Sequence, residues 1–379
     1  MSAVRKINRL FSLIIATLLF IPNIAFADLK LNLTEGVTSI SQQAYDLHML
    51  VLWIVTIVGI AVFAVIIYSL IYHRKSKGAV AAQFHESTTV EVIWTIVPLV
   101  VLVLIAIPAT KTLLYIEDAS NPDITIKVTG WQWKWQYEYL DEGINFFSNL
   151  DAKSNEARQR NSGVDVRTVE HYLLDVDNPI VIPVGKKVRF LATANDVIHS
   201  WWVPALGMKR DAIPGYINEF WTRVDEPGVY RGQCAELCGK DHGFMPIVVN
   251  AVSESEYQSW VKGQKLAMAE AEAGSDKVWT KNDLMKRGEQ VYNASCAACH
   301  QANGAGIPGV FPGMINSKIT IGPAADHIDI VVNGKAGTAM QAFGPQLNDA
   351  DLAAVITYER NSWGNAASVV QPADVKAAR

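Results

Sequence analysis

The residues with the clearest chemistry are two cysteines, a histidine and a methionine crowded into one short segment. This segment, residues 234–245, reads Cys-Ala-Glu-Leu-Cys-Gly-Lys-Asp-His-Gly-Phe-Met. Thiolate, imidazole and thioether groups are soft donors, which suit copper better than calcium or magnesium. A further histidine lies upstream, between two strand-like stretches, and we predict that all these side chains enclose two copper ions. The predicted ligands are His199, Cys234, Cys238, His242, Met245 and the backbone carbonyl of Glu236.

Two other interpretations of this copper loop, residues 234–245, compete with the first. A disulfide between Cys234 and Cys238 would use the same thiols, but it would leave the histidines and the methionine without a shared role. Zinc takes a closed set of two cysteines and two histidines, yet this set leaves the methionine unused, and the spacing differs from that of a zinc finger. Gly239 and Gly243 favour a tight loop, in which both thiolates could bridge two ions.

A second chemical motif, Cys-Ala-Ala-Cys-His, lies near the C-terminus at residues 296–300. This spacing is typical of covalent haem attachment through two thioethers. Cys296 and Cys299 are the predicted attachment sites, and His300 is the predicted proximal iron ligand. Together the two motifs use all four cysteines of the chain. Two redox centres on one chain indicate an electron relay.

The distal haem ligand is predicted to be Met340, because a thioether raises the haem potential relative to a second histidine. Its surroundings, Met-Gln-Ala-Phe, resemble the Met-Pro-Ala-Phe loop of small cytochromes c, with Gln341 in place of the proline. Met314 and His327 remain alternative ligands.

Length and composition exclude several classes of protein. A chain of 379 residues that is 50% hydrophobic can bury more than one core, which favours several domains. The net charge is −4, and lysine and arginine are scattered along the chain. This pattern does not indicate a nucleic-acid partner.

Three apolar stretches open the chain and predict a membrane protein. The first follows basic residues and ends in Ala-Phe-Ala, which predicts a signal peptide cleaved after Ala27, with an uncleaved anchor as the alternative. The next two, at about 49–72 and 92–110, are long enough to cross a hydrocarbon layer of about 30 Å as helices. The basic loop 73–77 between them is expected in the cytoplasm, so the chain beyond residue 111 lies outside, in the periplasm of a Gram-negative cell.

The remainder of the chain divides by composition. Alternating stretches bounded by glycine and proline predict an antiparallel sandwich, interrupted by a polar surface excursion at 150–170. A segment rich in alanine, glutamate and lysine then predicts an exposed helical tether. The predicted segments are a signal peptide at 1–27, a membrane hairpin at 28–118, a copper-binding β domain at 119–252, a linker at 253–281, a haem domain at 282–365 and a disordered tail at 366–379.

These motifs, in this order, resemble subunit II of haem-copper cytochrome c oxidases, in the caa3-like form with a cytochrome c domain fused at the C-terminus. The resemblance covers about residues 40–365. It rests on Glu-Val-Ile-Trp-Thr at 91–95, the aromatic run at 131–139, Asp-Val-Ile-His-Ser-Trp at 196–201, Gly-Met-Lys-Arg-Asp-Ala-Ile-Pro-Gly at 207–215, and the copper loop. It implies a multidomain membrane protein with a two-helix transmembrane hairpin, a cupredoxin-like antiparallel β sandwich that holds a dinuclear CuA centre, and an all-α cytochrome c domain.

The resemblance also implies roles for single residues. The side chain of Glu236 would help bind a magnesium ion at the interface with subunit I, and Trp133 would be the point at which electrons enter beside CuA. Glu91 would lie near the mouth of a proton channel; without the resemblance, it reads as a cap favoured by the helix dipole.

The function implied by the resemblance is that of an oxidase subunit. Electrons from cytochrome c or another respiratory donor would pass from haem c to CuA and on to haem a of subunit I, where oxygen is reduced to water and protons are pumped. The implied partners are subunits I and III, in the inner membrane of a bacterium, and the chain would be inactive alone. The alternatives are a membrane-tethered carrier for another terminal reductase and a copper-delivery module. A quinol-oxidase subunit II would lack the copper ligands, which are all present here.

Overall fold

The structure is a computed structural model that describes residues 32–34, 36–81, 83, 85–159 and 162–379. The signal peptide predicted at residues 1–27 lies outside these described residues.

In the described part of the chain, two long helices come first, α1 over Ser39–Tyr72 and α2 over Thr88–Glu117. Both are long and apolar enough to cross a membrane, and most of their large apolar side chains are exposed, as a lipid-facing surface requires. Each helix extends beyond the predicted span, and α2 continues past Pro98 and Pro108.

The outer ends of the two helices contact the domain that follows them. In α1, Ile40 is fully buried, and the Thr38 hydroxyl before it donates to the carbonyl of Leu206 at 3.1 Å. Near the end of α2, the ring of Tyr115 lies 5.4 Å from that of Trp221. The first turn of α1 is therefore helical because it packs on protein and not because it lies in lipid, which explains why hydropathy alone placed its start too late.

Ten strands form a β sandwich of two five-stranded sheets. Their bounds are β1 Ile124–Trp131, β2 Lys134–Tyr139, β3 Ile144–Ser148, β4 Ile180–Pro183, β5 Val188–Ala194, β6 His199–Val203, β7 Met208–Ala212, β8 Asn218–Thr222, β9 Gly228–Cys234 and β10 Pro246–Val252. The strand orders are β3-β2-β1-β5-β8 and β4-β10-β9-β6-β7. Phe190, Trp201 and Phe220 stack in the core, with Phe190 5.2 Å from Trp201 and 4.9 Å from Phe220.

The predicted sandwich is confirmed, but its strand pairing is mixed. The β1–β5 and β4–β10 pairs are parallel, and the other pairs are antiparallel. Parallel neighbours need long connections between them. Here β2, β3 and β4 lie between β1 and β5 in the chain, and β5 to β9 lie between β4 and β10. Alternation of apolar and polar residues along a strand shows which face is buried, but not the direction of the neighbouring strand. The sequence pattern therefore did not distinguish parallel from antiparallel pairing.

The polar excursion predicted as surface is partly buried. After β3 it forms a short helix, α3 over Ala152–Ala157, whose N-cap Asp151 accepts hydrogen bonds from the amides of residues 153 and 154. Ser154 and Ala157 are buried. Burial of small residues on one side of α3 shows that the excursion packs against other parts of the chain.

The predicted linker is one helix, α4 over Glu254–Ser275, which begins with a capping box between Ser253 and Glu256. Most of its side chains are exposed, as the tether prediction expected. Its first turns, however, pack on the sandwich: Tyr257 and Val261 are buried, and the ring of Trp260 lies 5.0 Å from that of Tyr139.

A helical domain follows, with its own apolar core. Its helices are α5 Lys281–Ser295, α6 Ala297–His300, α7 Lys318–Ile321, α8 Ala324–Asn333, α9 Asp349–Asn361 and α10 Pro372–Lys376. Helices α5 and α9 are the two longest of this domain, and Asn348 caps α9 by accepting from the amide of Asp351 at 2.9 Å.

The disordered tail predicted at 366–379 was wrong. Val370 and Val375 are fully buried in the core of the helical domain, and the hydroxyl of Thr357 bonds both backbone groups of Val370. The last residue, Arg379, pairs with Asp349 at 2.6 Å. Two valines without a regular period do not predict a packed segment from the sequence. The groove that they fill exists only in the folded domain.

Candidate copper centre and haem site

Three parts of the sandwich position the predicted copper ligands. His199 begins β6, Cys234 ends β9, and the copper loop returns from there to Met245, just before β10. In the β6–β9 ladder, Trp201 lies opposite Cys234. Because residues two apart on a strand point to the same face, His199 faces the same side as Trp201, toward the sulfur of Cys234.

The Cys234 sulfur lies at one end of this cluster. Its Sγ is 4.0 Å from Nδ1 of His199 and 3.4 Å from the carbonyl oxygen of Glu236. The Sγ of Cys238 is 3.9 Å away. His199, Cys234 and Cys238 are all buried, and their donor atoms lie within 4.8 Å of one another.

The Cys238 sulfur lies at the other end. Its Sγ is 3.5 Å from Nδ1 of His242 and 3.5 Å from Sδ of Met245. The indole of Trp135 donates to the carbonyl of Met245 at 3.3 Å and so fixes the methionine backbone. The structure therefore brings together all six predicted donors: the two sulfurs, and two further donors beside each of them.

The two thiols are not joined by a disulfide, and their sulfurs lie 3.9 Å apart. The hydrogen bond from Cys238, together with that from His199, lowers the pKa of Cys234 well below its ordinary value. The same contact with Cys234, together with burial, raises the pKa of Cys238. The lowered pKa of Cys234 favours its thiolate form, which is the form that binds a metal.

Asp196 holds the imidazole of His199 in place. Its Oδ1 lies 2.8 Å from Nε2 of His199, which leaves Nδ1 facing the sulfur of Cys234. Burial lowers the pKa of His199, but the hydrogen bonds to Asp196 and Cys234 outweigh it, and the net pKa is raised. Carboxylate support of this kind orients metal-binding histidines. Gly130 leaves the room that the imidazole needs, because a Cβ there would lie 2.7 Å from a ring carbon.

The donor set fits a dinuclear copper centre. Two sulfurs are available to both ions, and each end adds one imidazole and one weaker donor, a carbonyl or a thioether. The cysteines, His199 and Met245 are buried, which excludes water from soft ligands. Zinc would leave the buried thioether unused.

Two side chains of the turn between β1 and β2 reach the copper loop. The indole of Trp133 donates to the carbonyl of Cys238 at 3.2 Å, and the amide of Gln132 donates to the same oxygen at 2.8 Å. The backbone amide of Gln132 donates to Asp196 at 2.7 Å. Sequence reasoning selected Trp133 but missed Gln132 and the role of Asp196, although both belong to motifs on which the resemblance rests.

The two predicted carboxylates, those of Glu236 and Glu91, do not contact the sulfurs. The carboxylate of Glu236 points away from them, lies 3.1 Å from Nζ of Lys209, and is 43% exposed. Lys209 also pairs with Asp211 at 3.0 Å. Glu91 lies in the first turn of α2 and is exposed.

A cavity of about 460 Å³ adjoins the second predicted motif. Cys296, Cys299 and His300 line it, and so does Met340. Nδ1 of His300 lies 2.8 Å from the carbonyl of Pro312, which holds the ring and leaves Nε2 for a metal.

The alternative haem ligands line the same cavity. Met314 is one of them, and its carbonyl accepts from Asn365 at 3.1 Å. His327 is the other, and its Nε2 lies 2.8 Å from Glu359, with both side chains 2% exposed. His327 is therefore already engaged on one nitrogen by a carboxylate.

The cavity fits a haem. Val310, Phe311, Ile319, Val331 and Phe343 give it a largely apolar lining. Burial raises the pKa of Cys296 and of Cys299, so both are neutral thiols before attachment.

Three family models match the three parts of the chain, the helices, the sandwich and the helical domain. The family model "Cytochrome C oxidase subunit II, transmembrane domain" matches residues 27–112, and "Cytochrome C oxidase subunit II, periplasmic domain" matches residues 124–252. The model "Cytochrome C oxidase, cbb3-type, subunit III" matches residues 283–358.

Individual proteins show the same likeness. A probable cytochrome c oxidase subunit 2 from Rickettsia bellii is 41% identical over 234 residues, which are 62% of this chain and 83% of the relative. A cytochrome c oxidase subunit 2 from Alkalihalophilus pseudofirmus is 32% identical over 339 residues, which are 85% of this chain and 87% of the relative. The crystal structure of the periplasmic domain of subunit II of cytochrome oxidase from Bradyrhizobium japonicum is 42% identical, with a TM-score of 0.34, and covers 39% of this chain and 98% of that chain.

Membrane helices, sandwich and helical domain thus each match in their expected order along the chain. This chain is therefore a membrane-anchored component of an oxidoreductase complex that carries a C-terminal cytochrome c domain, and it belongs to the cytochrome c oxidase subunit 2 family.

Proposed function

We propose that this chain is the subunit through which electrons enter a proton-pumping cytochrome c oxidase of a bacterial inner membrane. Electrons pass from haem c in the C-terminal domain to a dinuclear CuA centre, and on to haem a of subunit I, where oxygen is reduced to water. The observation that carries the proposal is the convergence of four donors, two imidazoles, a carbonyl and a thioether, on two buried, unbonded sulfurs beside an indole.

The copper centre would be held by His199, Cys234, Cys238, His242, Met245 and the carbonyl of Glu236. Copper supplies reversible one-electron chemistry there. The protein supplies rigidity, because three ligands lie on or beside paired strands and Asp196 fixes the most buried imidazole. A rigid, dry ligand set needs little rearrangement when its charge changes.

The haem would be attached through Cys296 and Cys299, with His300 as the proximal ligand. The carbonyl of Pro312 holds the His300 ring in orientation. We place Met340 as the distal ligand, because it lines the cavity and, unlike His327, is not held by a buried carboxylate.

We place the input of electrons to the copper centre at Trp133. Its support is the hydrogen bond to the carbonyl of Cys238, which joins the indole to a ligand residue. Trp133→Ala should slow electron transfer into the copper centre at least tenfold and leave copper content unchanged, whereas Trp133→Phe should retain more of the rate. Flash-induced reduction followed at the copper absorption band measures this, and lost copper in Trp133→Ala would instead indicate a packing role.

Two acidic residues receive roles toward the membrane partners. The exposed carboxylate of Glu236, which pairs with Lys209 in this structure, would help bind a magnesium ion at the interface with subunit I. Glu91, at the start of α2, would lie at the mouth of a proton channel. We further propose subunits I and III as membrane partners and cytochrome c, or another respiratory donor, as the source of electrons.

The proposed segment boundaries remain a signal peptide at 1–27, a hairpin at 28–118, a copper domain at 119–252, a linker at 253–281 and a haem domain from 282. The packed residues 366–379 belong with the haem domain.

Metal and haem analysis of the purified chain, combined with electron paramagnetic resonance, tests the function most directly. We expect one covalent haem and two coppers that share one unpaired electron. His199→Ala should abolish that copper signal, whereas His171→Ala, a change at a 43%-exposed histidine that follows the excursion, should not. An intact copper signal in His199→Ala would overturn the ligand assignment.

A further inference from the structure

The polar excursion at 150–170 contacts the copper loop on one side. Nη1 of Arg158 lies 3.1 Å from Oδ2 of Asp241, with side-chain exposures of only 13% and 5%. The guanidinium also lies 4.4 Å from the centre of the Phe244 ring. A planar cation that pairs with a carboxylate and stacks on a ring at once is held in one orientation. Arg158 therefore fastens the excursion to the loop that carries the copper ligands.

On its other side, the excursion contacts the haem domain. Nδ2 of Asn155 donates to the carbonyl of Asn293 at 3.1 Å, in the last turn of α5. Oδ1 of the same amide accepts from Nε of Arg158 at 2.8 Å. Asn155 and Arg158 thus form a continuous polar bridge from the copper loop to the helix that leads into the haem motif, residues 296–300.

Further contacts surround the same junction. Nζ of Lys240, in the copper loop, donates to the carbonyl of Ala298 at 2.9 Å, between the two haem-attaching cysteines. Nε2 of Gln341 donates to the carbonyl of Gln132 at 2.9 Å. Gln341 follows the predicted distal ligand, at the position where small cytochromes c have a proline. The side chain that replaces the proline therefore makes a contact with the sandwich.

The junction closes the face of the sandwich that carries Trp133. The haem cavity is lined on one side by residues 132 and 133 of the β1–β2 turn and by Lys134 at the start of β2, and on the other side by residues of the haem motif. The Nζ of Lys134 lies 4.5 Å from the ring centre of Phe147, in the sandwich, and 5.3 Å from that of Phe343, in the haem domain. Lys134 is 6% exposed, as expected for a side chain enclosed between two domains.

We propose that the excursion at 150–170 is a docking element for the chain's own haem domain. It holds that domain over Trp133 and closes this face to external electron carriers. The part about electron carriers rests on the proposed function. If the chain relays electrons, an external donor must deliver them to the outer surface of the haem domain. The docking itself depends only on contacts between protein groups.

Hydrogen exchange followed by mass spectrometry on the full chain in detergent tests the docking. The double variant with Asn155→Ala and Arg158→Ala loses the polar bridge. We expect at least tenfold faster exchange in residues 240–244 and 293–300. Arg167→Ala is the matched control, because Arg167 lies in the same excursion, is 86% exposed and pairs with Asp165.

A second variant approaches the junction from the haem domain. Gln341→Ala should also speed exchange around residues 132–134 and should raise the rate at which added reduced cytochrome c delivers electrons to the copper centre directly. Exchange equal to that of Arg167→Ala in both variants, with copper and haem contents intact, would overturn the docking role. Absence of the copper signal from the unaltered chain would contradict the proposed function. The exchange result would still test the docking, which depends only on contacts between protein groups.

Discussion

At the scale of single residues, Asp196 connects two parts of the candidate site. One carboxylate oxygen orients His199, and the other accepts from the backbone amide that precedes Trp133. The side chain of Gln132 then reaches the carbonyl of Cys238. A ligand, its support and the proposed point of electron input are therefore joined by short hydrogen bonds, so a shift in any of them is transmitted to the others.

Met340 offers a test of the haem assignment. Met340→Leu removes the thioether while keeping a similar apolar volume, so the fold of the cavity should be retained. We expect the haem potential to fall, or the sixth position to open to added ligands such as imidazole, because a thioether favours the reduced haem. Redox titration with absorbance detection measures both effects, and Met268→Leu, at an exposed methionine of α4, is the control. An unchanged titration in Met340→Leu would move the assignment to Met314 or His327.

Lys134 should make stability depend on pH. Burial lowers its pKa from 10.5 to about 8. Between pH 8 and 10.5 the unfolded chain binds more protons at this residue than the folded chain, so the free energy of unfolding rises with pH across that window. The shift corresponds to a gain of about 3 kcal/mol.

Denaturant unfolding of the detergent-solubilised chain from pH 7.5 to 10.5 measures this gain. Lys134→Met should remove most of the rise, whereas Lys153→Met, at an exposed lysine, should leave it unchanged. Equal pH slopes in the two variants would show that the amine of Lys134 is not desolvated in solution.

At the scale of elements, the crossing of α5 and α9 determines the shape of the haem domain. Gly288 lies at this crossing, where an added Cβ would overlap the carbonyl oxygen of Ala354. The helices approach this closely because one of them has no side chain there. Because α5 leads directly into the haem motif, the crossing also determines where Cys296 lies.

Gly288→Ala should therefore destabilise the haem domain by about 1–3 kcal/mol or more, as overpacking does. Gly263→Ala is the matched control, since this glycine lies within α4 and a Cβ there would meet no atom within 4 Å. That change should be neutral or stabilising by up to about 1 kcal/mol, through helix propensity. Thermal unfolding followed at the haem absorption band compares them, and equal midpoints would contradict close contact at the crossing.

At the scale of the whole molecule, the sandwich and the haem domain have separate apolar cores. The first includes Tyr257 and Val261 of α4, so the start of the predicted linker belongs structurally to the copper domain. The haem domain is attached by α4 and by the polar contacts of the docking junction. This division means that the haem domain can be removed without opening the core that surrounds the copper loop.

A chain that ends at Ser275 should therefore retain its copper signal and its unfolding midpoint within a few degrees. A chain that ends at Val252 also lacks α4 and should unfold at a lower temperature, because burial of its aromatic and aliphatic side chains is lost. Calorimetry and paramagnetic resonance on both truncated chains measure this difference. Loss of copper from the chain ending at Ser275 would show that the haem domain supports the copper loop.

The sequence by itself determined the candidate ligands, the two membrane helices, the sandwich and the haem helices. Donor types, apolar periods and capping residues are local in the chain, so the residues that carry them can be read without a fold. Cys234, Cys238, His242 and Met245, for example, lie within a dozen positions.

Only the tertiary structure decided what lies between these parts. Asp241 and Arg158, or Gln132 and Gln341, are distant in the chain and common on protein surfaces, so nothing local distinguishes them from solvated residues. The same holds for Val370 and Val375, whose burial depends on a groove built by other helices. Contacts of this kind arise from the packing of complete domains, and their meaning becomes visible only when the excursion, the copper loop and the haem helix are placed side by side.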